Sequence, residues 1–339
     1  MIDTTPILSI CIATYNRANY ISQTLDSIVC QITNEVEIVV VDGASTDNTS
    51  EIMQKYISLN KQIKYIKLSQ KGGVDQDYSK SVEYATGKMC WLFTDDDILK
   101  PNAINNVLKE VKKKYSLIII NAELFNIDLT RQISEGLLQL NDNVILKTSE
   151  LVELFELVIS YISFIGCVVI DRELWLSRDK YSYYGTEFIH VGVIFQENLP
   201  RETLVIAQPF IQIRYGNAQW SNRAFQIGMN KWPKLISTFI DITEEAKNKI
   251  IFTNFYRWFI TIILFRAKGN FGFKEFNKWE DKKSLSWFRF FISIILLIIP
   301  SFFFNFIILT YLKIFKKEKK ITIYDLQSST NNILYHITK

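Results

Sequence analysis

Five short apolar runs rich in β-branched residues punctuate the first 122 residues: Ile7–Ala13, Val36–Val41, Ile63–Leu68, Met89–Phe93 and Leu117–Ala122. Between them lie stretches with helical spacing at Tyr20–Cys30, Asn48–Leu59, Tyr78–Ala85 and Asn102–Lys113. Strands alternating with helices predict an α/β fold with a mostly parallel sheet covered on both faces. The near-continuous apolarity of Glu37-Ile-Val-Val-Val-Asp42 suits a strand buried on both sides. Beyond residue 123 the pattern loosens. Asn126–Lys147 reads as loop or hairpin, Ser149–Tyr161 as a helix, Phe164–Ile170 as a strand and Tyr181–His190 as irregular. Residues 222–268 read as two helices, the second crowded with Phe252, Phe255, Tyr256, Trp258, Phe259 and Phe265.

Phe290–Leu312 is 23 residues without a charge. At ~1.5 Å per residue it is long enough for a hydrocarbon core of ~30 Å. Pro300 sits near its middle, Lys282 and Lys283 precede it, and Lys313, Lys316, Lys317, Lys319 and Lys320 follow it. Basic flanks mark the cytoplasmic side. Two arrangements fit: a single span, or a proline-bent re-entrant hairpin in one leaflet that keeps both flanks on that side. The competing reading is a buried soluble helix, which rarely lacks a polar face for so long.

Composition narrows the chemistry. With 39 basic against 35 acidic residues, the net charge of +4 does not suggest a nucleic-acid partner. Four cysteines without paired spacing and only two histidines argue against a disulfide frame, a zinc site or a histidine-rich metal site. A metal here must be held by carboxylates, which points to a hard ion such as Mg²⁺ or Mn²⁺. No basic segment followed by an apolar core opens the chain, so we expect no signal peptide and a cytoplasmic location for the main mass.

In parallel sheets ligands bind beyond the carboxyl ends of the strands. Three polar clusters follow apolar runs there: Thr14-Tyr15-Asn16-Arg17, Asp42-Gly43-Ala44-Ser45 and Thr94-Asp95-Asp96-Asp97. Three adjacent carboxylates repel one another unless a cation is bound, and a divalent ion bridging two phosphates would supply it. The alternative is helix capping by Asp97 ahead of Pro101. Asp42 can accept from a base N–H or a ribose hydroxyl, while Ser45, Asp47 and Thr49 suit a capping network. Gly72-Gly73-Val74-Asp75 marks a turn where backbone can approach a ligand. Neither a G-x-G-x-x-G nor a P-loop motif occurs.

Pro6–Arg17, Val-Asp-Gly-Ala-Ser-Thr-Asp-Asn-Thr and Phe-Thr-Asp-Asp-Asp-Ile-Leu-Lys-Pro together resemble the family 2, GT-A-fold glycosyltransferases over residues 1–122. The later part is similar to abequosyltransferase-like O-antigen sugar transferases, through Met89–Asp97, Ser160-Tyr-Ile-Ser, Gly185-Thr-x-x-x-His190 and Pro209–Gly216. The resemblance implies a nucleotide-sugar-binding half (1–122) and an acceptor-binding half (123–221) of a GT-A domain. Aromatic helices (222–284), a hydrophobic membrane segment (285–315) and a basic tail (316–339) would follow. It implies Thr14, Tyr15 and Arg17 around the nucleotide, Asp42 on its base, Asp75 beside it, Asp95 at the ribose and metal, and Asp96 on the metal. Thr94 replaces the first aspartate of the family's Asp-x-Asp-Asp pattern, leaving ligation to Asp96 with help from Asp95 or Asp97.

An inverting transfer needs a base for the acceptor hydroxyl. The family places it about ninety residues after the aspartates, where Glu187 falls, with His190 as its rival. Arg214 would grip the donor diphosphate and Trp220 stack on a sugar, or Arg214 and Arg223 would form surface salt bridges beside a core Trp220. The reading is then an inverting glycosyltransferase at the cytoplasmic face of a bacterial inner membrane. It would move a sugar from a nucleotide-sugar to a polyprenyl-diphosphate-linked saccharide. The alternatives are a non-catalytic nucleotide-binding membrane scaffold and a Mg²⁺-dependent phosphotransferase.

Overall fold

The computed structural model describes residues 5–251, 254–279, 282 and 285–332. Phe252, Lys283 and the tail beyond residue 332 lie outside the described residues. The chain forms two compact units: Met1–Tyr215 with Phe239–Thr243, and Gly216–Thr238 with Glu244–Lys339.

The first unit is built on a ten-stranded sheet. Strands β1 (Leu8–Thr14), β2 (Val36–Asp42), β3 (Ile63–Lys67) and β4 (Met89–Phe93) alternate with helices α1 (Ile21–Val29), α2 (Thr49–Leu59) and α3 (Val74–Tyr84). Then come β5 (Ile98–Leu99), α4 (Ala103–Val111), β6 (Leu117–Phe125), β7 (Gln132–Ser134) and β8 (Val144–Leu146). The unit closes with α5 (Leu151–Val158), β9 (Val168–Asp171), α6 (Arg172–Ser177), α7 (Ile189–Phe195) and β10 (Thr203–Arg214). The sheet order is β3-β2-β1-β4-β9-β6-β10-β5. Pairings are parallel from β3 through β4 and between β6 and β10, whereas β9 runs antiparallel to both neighbours. All seven residues of β2 are buried, as its unbroken apolar run predicts. Helix α4 buries Ala103, Ile104, Val107, Leu108 and Val111, one helical stripe against the core. The winding reverses beside β1, where the chain runs outward to β2 and β3 and then returns to β4 on the other side. A ligand crevice belongs at such a switch point.

Several boundaries differ from the sequence reading. Helix α3 starts at Val74, four residues early, because Gly73 (φ 101°) turns the chain and Asp75 and Asp77 place negative charge in the first turn. The strand expected from Phe164 begins at Val168, because a tight helical turn over Ile165–Cys167 precedes it. Asn126–Lys147 contributes the short strands β7 and β8, paired with β6 and β10.

The second unit is helical. Helices α8 (Ala224–Gln226) and α9 (Trp232–Ser237) are joined by a π-turn over Ile227–Lys231. Pro233 lacks the N–H that would continue the α-helical ladder, which accounts for the wider turn. Helices α10 (Glu244–Asn248), α11 (Phe255–Lys268), α12 (Phe273–Lys278), α13 (Trp287–Ile298), α14 (Ser301–Phe315) and α15 (Lys320–Ser328) complete it. The two helices expected over 222–268 are therefore more broken than their periodicity suggests. The 23-residue apolar run is not one helix. It breaks before Pro300, and α13 and α14 meet at 94°. At ~1.5 Å per residue neither reaches ~30 Å. Among the described residues no single helix is long and apolar enough to cross a membrane; by length and composition the bent pair fits either a broken span or a re-entrant loop. Arg266 fixes the bend by donating to the carbonyls of Leu296, Leu297 and Ile299.

Candidate active site

The loops after β1 and β2 are pinned to one another. Asn16 (φ 55°) and Ala44 (φ 67°) take the left-handed conformation. Ser45 Oγ accepts from Asn16 N–H at 2.9 Å, Thr49 Oγ1 from Arg17 N–H at 3.0 Å, and Asp47 Oδ2 from Ala18 N–H at 3.1 Å. In return, Asn16 Oδ1 accepts from Thr46 N–H at 2.8 Å. The expected capping role of Asp47 is present: it accepts from Thr49 N–H and from the Thr49 hydroxyl. This cross-bracing holds the mouth of the crevice rigid.

At the end of β4, Arg17 bridges two carboxylates, with Nε 3.3 Å from Asp95 Oδ1 and Nη2 3.1 Å from Asp96 Oδ2. Burial and the neighbouring Asp96 push the Asp95 carboxyl up to about 7, against the pull of Arg17. Asp97 takes no part in this pair. It accepts from the Thr94 hydroxyl at 2.5 Å and from Arg214 N–H at 2.7 Å, so it is an internal brace. Two adjacent buried carboxylates fit a hard divalent cation whose other ligands are phosphate oxygens and water. They do not make a site by themselves: among the described residues no three or more His, Cys, Asp or Glu side chains are placed to hold an ion. Asp95 and Asp96 would hold the metal, and its chemistry would be to neutralise a departing diphosphate.

Thr14 closes β1 in register with Asp42, and both are buried. Asp42, expected on the base, is 0% exposed, and its oxygens accept from Ser45 N–H at 2.7 Å and from the Tyr65 hydroxyl at 2.6 Å. Each of its oxygens thus has a protein partner in this structure. Tyr15 presents its ring to the Lys71 ammonium, 3.6 Å from the centroid. Arg214, expected on the diphosphate, is buried: Nε donates to Asp96 O at 2.9 Å, Nη1 to Ile127 O at 2.7 Å, and Nη2 to Gln23. It positions the aspartate loop. The Arg17 and Arg214 guanidiniums both lie over the Tyr20 ring, 5.6 and 5.1 Å from its centroid. Trp220 belongs to the other unit and is half exposed.

Asp75, expected beside the nucleotide, anchors the Glu187 loop. Its Oδ2 accepts from Glu187 N–H at 2.9 Å and its Oδ1 from Ile189 N–H at 3.1 Å. Burial raises its carboxyl pKa in spite of these bonds. The loop so held puts Glu187, half-buried, at φ 74°. That conformation is costly for a residue other than glycine and is retained only where the surroundings impose it. His190 cannot share the base role. It is 1% exposed, its Nε2 lies 2.7 Å from Ile162 O, and burial lowers it to about 4. The carbonyl fixes the proton on Nε2, leaving a neutral, enclosed ring.

Comparison with known proteins agrees with this geometry. Residues 9–151 match the Glycosyl transferase family 2 model. That match covers less than half of the chain. It is 27% identical over 232 residues to abequosyltransferase RfbV of Salmonella typhimurium, covering 64% of this chain and 69% of that protein. It is 34% identical over 116 residues to hyaluronan synthase of Pasteurella multocida, covering 34% of this chain but 12% of the synthase. Against glycosyltransferase GlyG of Streptococcus pneumoniae the identity is 27% over 114 residues, 34% of this chain and 38% of GlyG. The chain thus spans well under half of the latter two proteins. The crystal structure of S. aureus TarS 1-349 in complex with UDP superimposes with a TM-score of 0.58 at 16% identity, covering 98% of this chain and 92% of that one. This shows the shared fold. The protein is a glycosyltransferase.

The sequence reading passed over several residues that shape this site: Asp77, Tyr20, Gln23 and Tyr65. Asp77 had a signal, a second acid two positions after Asp75. That spacing sends the two side chains to different sides of the helix.

Proposed function

We propose that this glycosyltransferase inverts configuration at the anomeric carbon as it transfers a sugar from a nucleotide-sugar. The acceptor would be a lipid-linked saccharide in bacterial surface polysaccharide synthesis, at the cytoplasmic face of the inner membrane. The observation that carries the reading is the Asp95–Asp96 pair at the strand ends together with Glu187 on a strained, anchored loop. Glu187 takes the acceptor hydroxyl proton as that oxygen attacks the anomeric carbon. The bond from that carbon to the diphosphate breaks, and the diphosphate leaves with the electron pair. Mg²⁺ or Mn²⁺ on Asp95 and Asp96 would offset its charge. Donor binding is supported by TarS, whose structure holds UDP, and a polysaccharide acceptor by the abequosyltransferase.

Membrane association rests on a separate observation. Helices α13 and α14 leave Trp287, Phe291, Ile298, Phe306, Ile307 and Phe315 exposed, and Lys316, Lys317, Lys319 and Lys320 follow. Apolar area of that extent with a basic rim suits an interfacial lipid surface. Purified enzyme with membrane lipids is to be screened against UDP-, CDP-, GDP- and dTDP-sugars with and without Mn²⁺. Turnover of one donor that EDTA suppresses supports the reading; no binding of any nucleotide-sugar contradicts it.

A further inference from the structure

The strained loop that carries Glu187 runs directly into α7, and that helix is held at both ends. Asp75 takes the N–H groups of Glu187 and Ile189 at the start. Arg178 holds the far end. Its Nη1 donates to Val193 O at 2.6 Å and Ile194 O at 2.9 Å, and its Nη2 to Glu197 O at 3.0 Å and Asn198 O at 2.6 Å. One planar fork thus joins four carbonyls at the carboxyl end of the helix, where the backbone dipoles favour a cation. Between the two ends, His190 Nε2 meets Ile162 O at 2.7 Å.

Arg178 is itself fixed. It follows α6, which leaves β9 through the Asp171 carboxylate capping Leu174 N–H at 2.9 Å. Lys180 Nζ donates to Trp175 O, Leu176 O and Arg178 O at 3.2, 3.0 and 2.8 Å, closing the carboxyl end of α6 in the same manner. Both cations are buried, at 4% and 9% exposure. An ordinary helix end is satisfied by water or a glycine cap. Taking a guanidinium out of water is costly, and here compensation is slight: Glu197 Oε1 lies 3.5 Å from Nε on a side chain that is 66% exposed. Such a cost is intelligible where a geometry must be imposed. Glu187 at φ 74° is that geometry. A strained conformation persists only where its surroundings over-determine it. Asp75 alone fixes only the start of the segment. With the other end loose, α7 would be free to slide along its axis and Glu187 to relax.

We propose that Arg178 is a positioning residue for the transfer: it clamps the carboxyl end of α7, so that Asp75 and Arg178 together hold Glu187 in its strained conformation. This assignment rests on the reading of Glu187 as the base and extends it to the far end of the helix.

The test is a double-mutant cycle on the full chain, with equilibrium unfolding measured alongside. It reads kcat and KM for the UDP-, CDP-, GDP- or dTDP-sugar that wild type turns over with membrane lipids in Mn²⁺. Arg178→Lys keeps the charge but reaches fewer of the four carbonyls. It should lower kcat by about tenfold or more and leave the donor KM within about threefold. In the Glu187→Gln background the same change should lower kcat by less than about twofold, because no base is left to misplace. Lys180→Met frees the Arg178 backbone without touching its fork and should repeat the pattern at smaller size, so the result does not hang on one variant's folding. Three outcomes overturn the assignment: unchanged kcat in both folded variants, equal losses with and without Glu187, or an effect confined to the unfolding midpoint. Arg178 then serves stability alone. Glu187→Gln turning over at the wild-type rate removes the base reading and this proposal with it, whereas an impaired Glu187→Gln with an additive cycle removes this proposal only. If wild type turns over none of the four donors, the donor reading itself fails and takes this one with it.

Discussion

The two units break opposite rules of protein packing. The sheet-based unit encloses charge: Asp77, Asp95, Asp96 and Asp97 all sit below the surface, and burial raises Asp77, Asp95 and Asp97 away from ionisation. The helical unit does the reverse and leaves apolar surface in water, with Trp287 80% exposed and Ile298 70%. Each arrangement costs stability for the free chain, by desolvation in one case and by unburied area in the other. The cost makes sense where a ligand completes the structure. On the proposed function, a cation and diphosphate would complete the first and a lipid surface the second. On that proposal the two kinds of misfit would report two kinds of partner.

Four variants would break or sharpen this contrast. The largest effect belongs to the enclosed charge: Asp96→Ala should lower turnover by at least about 100-fold, the usual scale for removing one group that stabilises developing charge. Steady-state rates at saturating Mn²⁺ check it. Next comes the exposed face. Replacing Phe291, Phe306 and Ile307 together by Ser should cut affinity for anionic vesicles by more than about tenfold, given ~1.5–3 kcal/mol for each large apolar side chain buried. Vesicle co-sedimentation measures this, and the melting temperature should hold or rise. Third, Arg214→Lys removes the fork that joins Asp96 O, Ile127 O and Gln23. Losing a buried network of this kind costs about 2–4 kcal/mol, read by denaturant unfolding.

The smallest effect is a pH dependence. His190 falls from 6.5 to about 4 on folding because burial penalises the imidazolium. Between those values the unfolded chain binds more protons than the folded one, so stability rises with pH across that window and falls as pH drops through it. Wild type should therefore lose roughly 2 kcal/mol more than His190→Gln between pH 7.5 and pH 5. Asp77 and Asp95 pull the opposite way, since their raised values favour the folded state at lower pH, but they are common to both proteins and cancel in the difference.

The parallel sheet and its strand-end clusters were legible because each strand is short, apolar and followed at once by polar residues. Thr14, Asp42 and Asp95 all fall within three residues of a strand's carboxyl end. What each carboxylate does was not legible, because that depends on partners far along the chain. Asp75 meets Glu187 and Ile189, 112 and 114 residues away, and Arg214 meets Asp96 at a separation of 118. Apolar periodicity says nothing about such pairings. The apolar run at 290–312 shows the same limit: its composition is that of a span, while Pro300 and the carbonyl-holding Arg266 bend it by 94°.

The most direct test of the account separates binding from chemistry at the anchored loop. Donor affinity and turnover are to be measured for Glu187→Gln, using whichever nucleotide-sugar the wild type accepts. The account predicts wild-type affinity within about threefold and a loss of turnover of about 10²–10⁴-fold, the range for removing a general base. A Glu187→Gln enzyme that turns over at the wild-type rate would contradict it.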